Sequence, residues 1–222
     1  MNGGLNVPEM NGGLNVPEGN DRLNVPTSGN KPSMPPDIRP VRVLVIGGGA
    51  AGLVAAISAA RSGAAVTIAE RMPRVGKKLL ATGNGRCNLS NNSLNINNYH
   101  GAGAKPAFSI VSKYGGSFII DFFKSIGVLT AVEDQSRLYP RTFSSATVLN
   151  ALRAEAARLG VAEMLSHEAA SIGIKGGAFE TKFHGAPPFI SDKVIVAAGA
   201  KRRLFLAQMA AGMDCWLHLG IR

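Results

Sequence analysis

Residues 41–71 read VRVLVIGGGAAGLVAAISAARSGAAVTIAER, and the order of residue types in this stretch decides the fold. Apart from Arg42, residues 41–46 are apolar and mostly β-branched without alternation, which predicts a central parallel strand buried on both faces. Gly47 permits a tight turn out of that strand. Gly49 lets a pyrophosphate approach the backbone with no Cβ in the way, and Gly52 lets the next helix pack close to the sheet. That helix runs through Leu53, Ala55, Ala56, Ile57, Ala59 and Ala60, with Gly63 as its C-terminal cap. Free N–H groups at its start, carrying about half a positive charge, favour a bound diphosphate. Residues 66–69 predict a second strand. Glu70, about 20 residues past the glycine turn, is placed for ribose hydroxyls. Strand, glycines, helix, strand and acid in this order predict a dinucleotide-binding unit rather than a simple packing turn.

An acid at position 70 disfavours a 2′-phosphate, so NADP is the least suited ligand, while NAD and FAD both remain open at this point. The next segment, Arg74-Val75-Gly76-Lys77-Lys78-Leu79-Leu80-Ala81-Thr82-Gly83-Asn84-Gly85-Arg86-Cys87-Asn88-Leu89-Ser90-Asn91, joins cations, glycines and amides in a loop that can wrap anionic oxygens. Taken alone, it reads equally well as a basic surface loop.

The glycine turn, Glu70-Arg71 and the segment from Gly76 to Asn91 together resemble the BaiN-like flavoproteins, also called the aminoacetone oxidase family of FAD-binding enzymes. The resemblance extends over roughly residues 41–200, through Gly127-Val128, Glu133-Asp134, Leu138-Tyr139-Pro140 and 146–160 to Val194–Gly199. It implies FAD as the tightly held cofactor, with NAD(P)H a candidate electron donor. By position it implies that Gly47, Gly49, Ala50, Ala51 and Gly52 contact the pyrophosphate, that Glu70 holds the ribose and that Arg71 lies near the adenine. It further implies that Lys78, Gly85, Arg86, Cys87 and Asn88 line the flavin half, that the Ala169 backbone meets the adenine edge and that Ala198-Gly199 forms a later turn against the cofactor. The implied activity is hydride transfer between an organic small molecule and flavin. The resembling proteins are longer and carry a separate substrate domain. A truncated, non-catalytic relative that keeps only a Rossmann-like nucleotide-binding unit is the alternative, since residues 207–211 (Ala-Gln-Met-Ala-Ala) stand where that family has small polar and acidic residues.

The expected fold is α/β: a Rossmann-like FAD-binding parallel sheet with a small antiparallel β-meander, over residues 41–222. Residues 1–40 are expected to be a disordered tail. Met1–Glu9 repeats verbatim as Met10–Glu18, and 19–27 is a looser third copy sharing Leu-Asn-Val-Pro. Units this short have no apolar face to stack. Pro32, Pro35, Pro36 and Pro40 then form a stiff linker. A single helix is expected over 108–127, with Phe118, Phe122 and Ile126 facing the core. A second is expected over 145–159, with Leu149, Leu152, Ala156 and Leu159 inward, Arg153, Glu155 and Arg158 outward, and Gly160 as cap. Strands are expected near 162–165, 169–174, 178–183 and 193–197, with Gly176-Gly177 and 185–188 as turns.

The net charge of +10 belongs to the part beyond the tail, because the first forty residues carry three Lys or Arg against four Asp or Glu. The cations are scattered, with Lys201-Arg202-Arg203 the only tight run, and no aromatic interleaving accompanies them, so no nucleic-acid partner is expected. No secretory leader and no membrane span are expected, and the location read from this is cytoplasmic. Two cysteines, Cys87 and Cys215, make neither a disulfide scaffold nor a metal site. Cys87 reads as a small packing residue, although Arg86 beside it would favour a thiolate. The histidines at 100, 167, 184 and 218 show no ligand spacing. Flavin would carry any redox chemistry, and no acid or base is assigned. The sequence does not specify an oligomeric state.

Overall fold

The computed structural model describes residues 39–199. Of the tail and linker expected over 1–40, all but Arg39 and Pro40 lie outside them, as do the features read at 200–222. In chain order the elements are β1 (Arg42–Ile46), α1 (Ala50–Arg61), β2 (Ala65–Glu70), β3 (Ser90–Asn91), α2 (Ala104–Lys113), α3 (Gly116–Ser125), β4 (Thr130–Glu133), β5 (Arg137–Pro140), α4 (Ser145–Arg158), β6 (Ala162–Leu165), β7 (Ala169–Lys175), β8 (Ala178–Phe183), β9 (Ala186–Ser191) and β10 (Lys193–Val196).

The unalternating run at 41–46 has a direct structural cause. β1 sits inside a parallel sheet of order β10-β1-β2-β6. Val43 and Val45 face one layer, joining Leu53, Ile57, Val148 and Leu152 of α1 and α4 in one core. Leu44 and Ile46 face the other, against Ala169, Ile172 and Phe183 of the antiparallel sheet β7-β8-β9. Both faces of the strand are covered, so both must be apolar. The expected meander is present and returns the chain to the parallel sheet through β10. Asp192 secures that return: its carboxylate accepts from Arg42 N at 2.8 Å and from Arg42 Nη2 at 3.0 Å. The Arg42 hydrogen bonds hold its carboxyl well below the usual carboxylate range.

The structure revises four details. The helix expected over 108–127 is two helices, because the chain turns at Gly115, where a Cβ would stand 2.2 Å from Leu94 Cδ1 and 2.6 Å from the Val111 carbonyl oxygen. Phe123 is the buried aromatic of α3, while Phe118 is 53% exposed. Glu155 is buried rather than outward-facing, in a pair of charge-assisted contacts with Arg61 and Arg158. Residues 185–188 do not form a turn throughout: Gly185, at φ +69°, turns the chain and β9 begins at Ala186. A third sheet, β3-β5-β4, lies between α1–β2 and α4 in sequence and had no counterpart in the periodicity.

Candidate functional site

The carboxyl ends of β1, β2, β6 and β10 converge on a cavity of about 500 Å³. This is the edge at which open parallel sheets bind ligands. Its floor is the turn between β1 and α1. Gly47, at φ +106°, passes so close to β10 that a Cβ would lie 2.6 Å from the Ala197 carbonyl oxygen. Gly48 packs under Val75 and beside Glu70, with 2.6 Å available between a Cβ and Val75 Cγ1. Gly49 differs from both, since nothing lies within 4 Å of the position its Cβ would take. It is the N-cap of α1, and no side chain caps the helix there. The first-turn N–H groups at Ala50 and Ala51 have no i−4 carbonyl to bond, and both residues line the cavity.

Glu70 closes one side. Its Oε2 accepts from Gly48 N at 2.6 Å and its Oε1 from Met72 N at 2.9 Å. A carboxylate has about four acceptor directions, so each oxygen keeps one for a ligand hydroxyl. The chain after β2 then folds back over the glycine turn. Gly76 N donates to the Gly48 carbonyl at 2.7 Å, and Gly76, at φ +75°, lies so near Leu149 of α4 that a Cβ would be 2.1 Å from its Cδ1. This fold-back brings Arg74, Lys77 and Lys78 to the cavity beside Arg71. Lys78 Nζ lies 3.7 Å from the Cβ position of Gly199, so its side chain reaches the turn after β10. Four cations against two carboxylates, Glu70 and Glu168, give the lining an excess of positive charge. Arg71 is 3.8 Å from Glu168. An uncapped helix start, a glycine open to the cavity and this charge together suit a diphosphate. The adjoining carboxylate suits a ribose, so the residues present fit a dinucleotide.

Of the residues singled out in the sequence, Gly47, Gly49, Ala50, Ala51, Glu70, Arg71, Lys78, Ala169, Ala198 and Gly199 surround this cavity. Gly52 does not line it. A Cβ there would fall 1.8 Å from the Gly47 carbonyl oxygen, so this glycine serves the close crossing of helix and strand. Gly85, Arg86, Cys87 and Asn88 also stand outside the lining, because the loop reverses through left-handed residues at Gly83, Asn84, Gly85 and Cys87. Arg86 is engaged elsewhere. Its Nη1 donates to both oxygens of Glu133 at 3.0 and 3.1 Å, and its guanidinium carbon lies 4.7 Å from the centre of the Tyr139 ring. Cys87 is buried, and burial pushes its thiol up, outweighing a hydrogen bond with Thr82. A thiolate favoured by Arg86 is therefore not what the structure presents. Among the described residues no cluster of three or more His, Cys, Asp or Glu could hold a metal ion. No helix among them is long and apolar enough to cross a membrane.

Gly48, Met72, His167 and Glu168 line the cavity without having been singled out, whereas Arg74 and Lys77 belong to the basic segment read as able to wrap anionic oxygens. Residues 166–169 owe their place to β6, which pairs in parallel with β2. Ser166 N then donates to the Met72 carbonyl at 3.1 Å and His167 N to the Glu70 carbonyl at 2.9 Å.

Residues 41–214 match the HI0933-like protein Rossmann domain. The chain belongs to this family. Among curated relatives, it is 37% identical over 173 residues to a 3-dehydro-bile acid Δ(4,6)-reductase of Clostridium scindens, covering 77% of this chain and 42% of the relative. It is 26% identical over 131 residues to a ribosomal RNA dihydrouridine synthase of Haemophilus influenzae, covering 58% of this chain and 32% of that protein. The chain thus spans less than half the length of the curated relatives it matches. Two solved structures share the architecture of this HI0933-like domain. One is the 3-ketosteroid-Δ4-(5α)-dehydrogenase of Rhodococcus jostii, with a TM-score of 0.56, 16% identity and coverage of 78% of this chain and 48% of that one. The other is Thermovibrio ammonificans THI4, with a TM-score of 0.51, 13% identity and coverage of 78% and 62%. At these identities the likeness is one of fold.

Proposed function

We propose that this HI0933-like domain holds FAD across the carboxyl edge of its parallel sheet and serves an oxidoreductase. The reaction would pass a hydride between an organic small molecule and the flavin, with NAD(P)H as electron donor. The observation that carries the reading is the contrast between Gly49 and its neighbours. Gly47, Gly48 and Gly52 are each crowded by protein, whereas Gly49 faces open space at an uncapped helix start beside Glu70. A glycine that the fold does not need there is accounted for by a ligand that approaches the backbone closely. Identity of 37% to a reductase supports the same chemistry. The two curated relatives bear the names of a bile-acid enzyme and an RNA enzyme, so the shared region accords with a common cofactor and not with a common substrate.

When bound, the flavin would supply the hydride chemistry. In this reading the chain's own residues bind and orient: the amides at Ala50 and Ala51 and the Lys77 and Lys78 ammoniums take the diphosphate, Glu70 takes the ribose hydroxyls, and the Ala169 backbone meets the adenine edge. The turn at Ala198-Gly199 would then lie towards the flavin. The test is to purify the full chain, add FAD, and record its visible spectrum and flavin fluorescence after desalting. A retained, perturbed flavin spectrum at one equivalent is expected. Free flavin eluting entirely apart from the protein would overturn the proposal. A protein that keeps flavin but is never reduced by NAD(P)H would instead match the truncated, non-catalytic reading.

A further inference from the structure

His167 is the lining residue whose chemistry the cavity leaves unused. Its position is fixed three times over. Its backbone N–H bonds the Glu70 carbonyl at 2.9 Å, its ring meets Phe183 edge-on with centroids 5.4 Å apart, and its Nδ1 lies 2.6 Å from the Leu165 carbonyl oxygen. A carbonyl oxygen can only accept, so the proton of the neutral ring must sit on Nδ1. Nε2 is then a bare lone pair on a half-buried ring that lines the ligand cavity. The preceding Ser166, at φ +57°, makes the sharp turn that brings the ring back over the end of β6.

We infer that His167 reads the exocyclic amine of an adenine nucleotide, its Nε2 accepting a hydrogen bond that a 6-oxo purine cannot donate. The inference rests on the proposed nucleotide site. With a diphosphate at the α1 start and a ribose at Glu70, the base extends towards residues 71–72 and 167–169, the segment His167 anchors. Glu70 and Glu168 also accept hydrogen bonds, but both are anionic and Glu168 lies beside Arg71. Among these three side chains His167 is the acceptor without a carboxylate's negative charge, and the Phe183 ring behind it suits a flat base.

The test compares ADP with inosine 5′-diphosphate, which share phosphates and ribose and differ at purine position 6. Binding of each is measured by titration calorimetry on the full chain, on His167→Phe and on His167→Gln. The wild-type chain should prefer ADP. In His167→Phe, which keeps the ring against Phe183 but has no acceptor, the ADP-to-inosine preference should fall about two- to tenfold. His167→Gln, whose amide oxygen accepts, should retain part of it. Equal wild-type affinity for the two nucleotides overturns the inference without any variant, and so does an undiminished preference in His167→Phe. A wild-type chain that binds neither nucleotide removes the proposed site itself and the inference with it. That outcome is distinguishable because the ratio can be measured only where binding occurs.

Discussion

At the residue scale, Glu155 shows how a charge becomes structural. It stands on α4 with its carboxylate buried, and two arginines on different sides meet it. Arg158 Nε donates at 2.6 Å and Arg61 Nη2 at 2.7 Å. Arg61 ends α1, where its guanidinium also reaches Ser125 Oγ at 3.2 Å and covers the Phe122 ring, so α1, α3 and α4 meet at one carboxylate. The hydrogen bonds from Arg158 and then Arg61 pull the Glu155 carboxyl down to about 2 from its ordinary 4.5, more than offsetting burial. A depressed carboxylate stabilises the fold fully above its unfolded value, and that stabilisation is lost as the pH falls from about 4.5 towards 2. Glu155→Gln should therefore cost about 2 kcal/mol at pH 7, because it leaves the Arg61 charge half-buried without its partner. The same substitution should cost far less near pH 2.5, where the wild-type carboxylate is itself being protonated. Urea denaturation of both proteins at the two pH values measures this, and an equal difference at both would refute the linkage. Sequence periodicity placed Glu155 on the outer face, since spacing along a helix does not show which arginines from other elements will meet it.

At the element scale, the glycine turn separates folding from binding within a few residues. Gly52→Ala would force a Cβ to 1.8 Å from the Gly47 carbonyl oxygen, so α1 must shift away from β1. An overpacked backbone contact of this kind should destabilise by about 2–3 kcal/mol or prevent folding. Gly49→Ala meets no atom within 4 Å and keeps an ordinary φ of −77°, so its thermal midpoint should stay within about a degree or two of wild type. Its affinity for FAD or ADP should nevertheless fall at least tenfold, because the new methyl occupies the approach to the helix start. Thermal melts paired with titrations check both variants, and a Gly49→Ala protein that binds normally would remove the central argument for the site. This turn was legible because strand, glycines, helix and acid are local in sequence and each has one physical reason. β9 was not legible, because Pro187 and Pro188 suggest a turn. They are tolerated on the edge strand of β7-β8-β9, at the register shift between Thr181 and Phe183, where no paired N–H is required. The 85–88 segment was equally hidden. Its residue types suit a ligand loop, but four left-handed residues turn it away to where Arg86 meets Glu133, and spacing cannot foretell that reversal. His167 carried one usable signal, its place directly after a strand at the carboxyl edge of the sheet.

At the scale of the whole molecule, charge decides how a ligand is drawn in. The chain carries a net charge of +10. Arg71, Arg74, Lys77 and Lys78 concentrate part of it around a cavity with two carboxylates, while Arg39, Arg42, Arg61, Arg86 and Arg158 are each paired with an acid elsewhere. The cavity cations are exposed, so their attraction for a diphosphate is screened once the Debye length shrinks below the dimensions of the site. Raising the salt from about 0.1 M to about 1 M shortens that length from about 10 Å to about 3 Å. ADP binding to the full chain should therefore weaken at least about threefold over this range. Adenosine, which has the same base and ribose but no charge, should bind more weakly at low salt and change little. Lys78→Ala should flatten the ADP salt dependence without altering that of adenosine, since Lys78 Nζ is the ammonium that crosses towards Gly199. Titrations of ADP and adenosine across the salt series measure the slopes. Parallel slopes for the two ligands would mean that the positive charge belongs to a solvated surface and plays no part in holding a diphosphate at the end of the sheet.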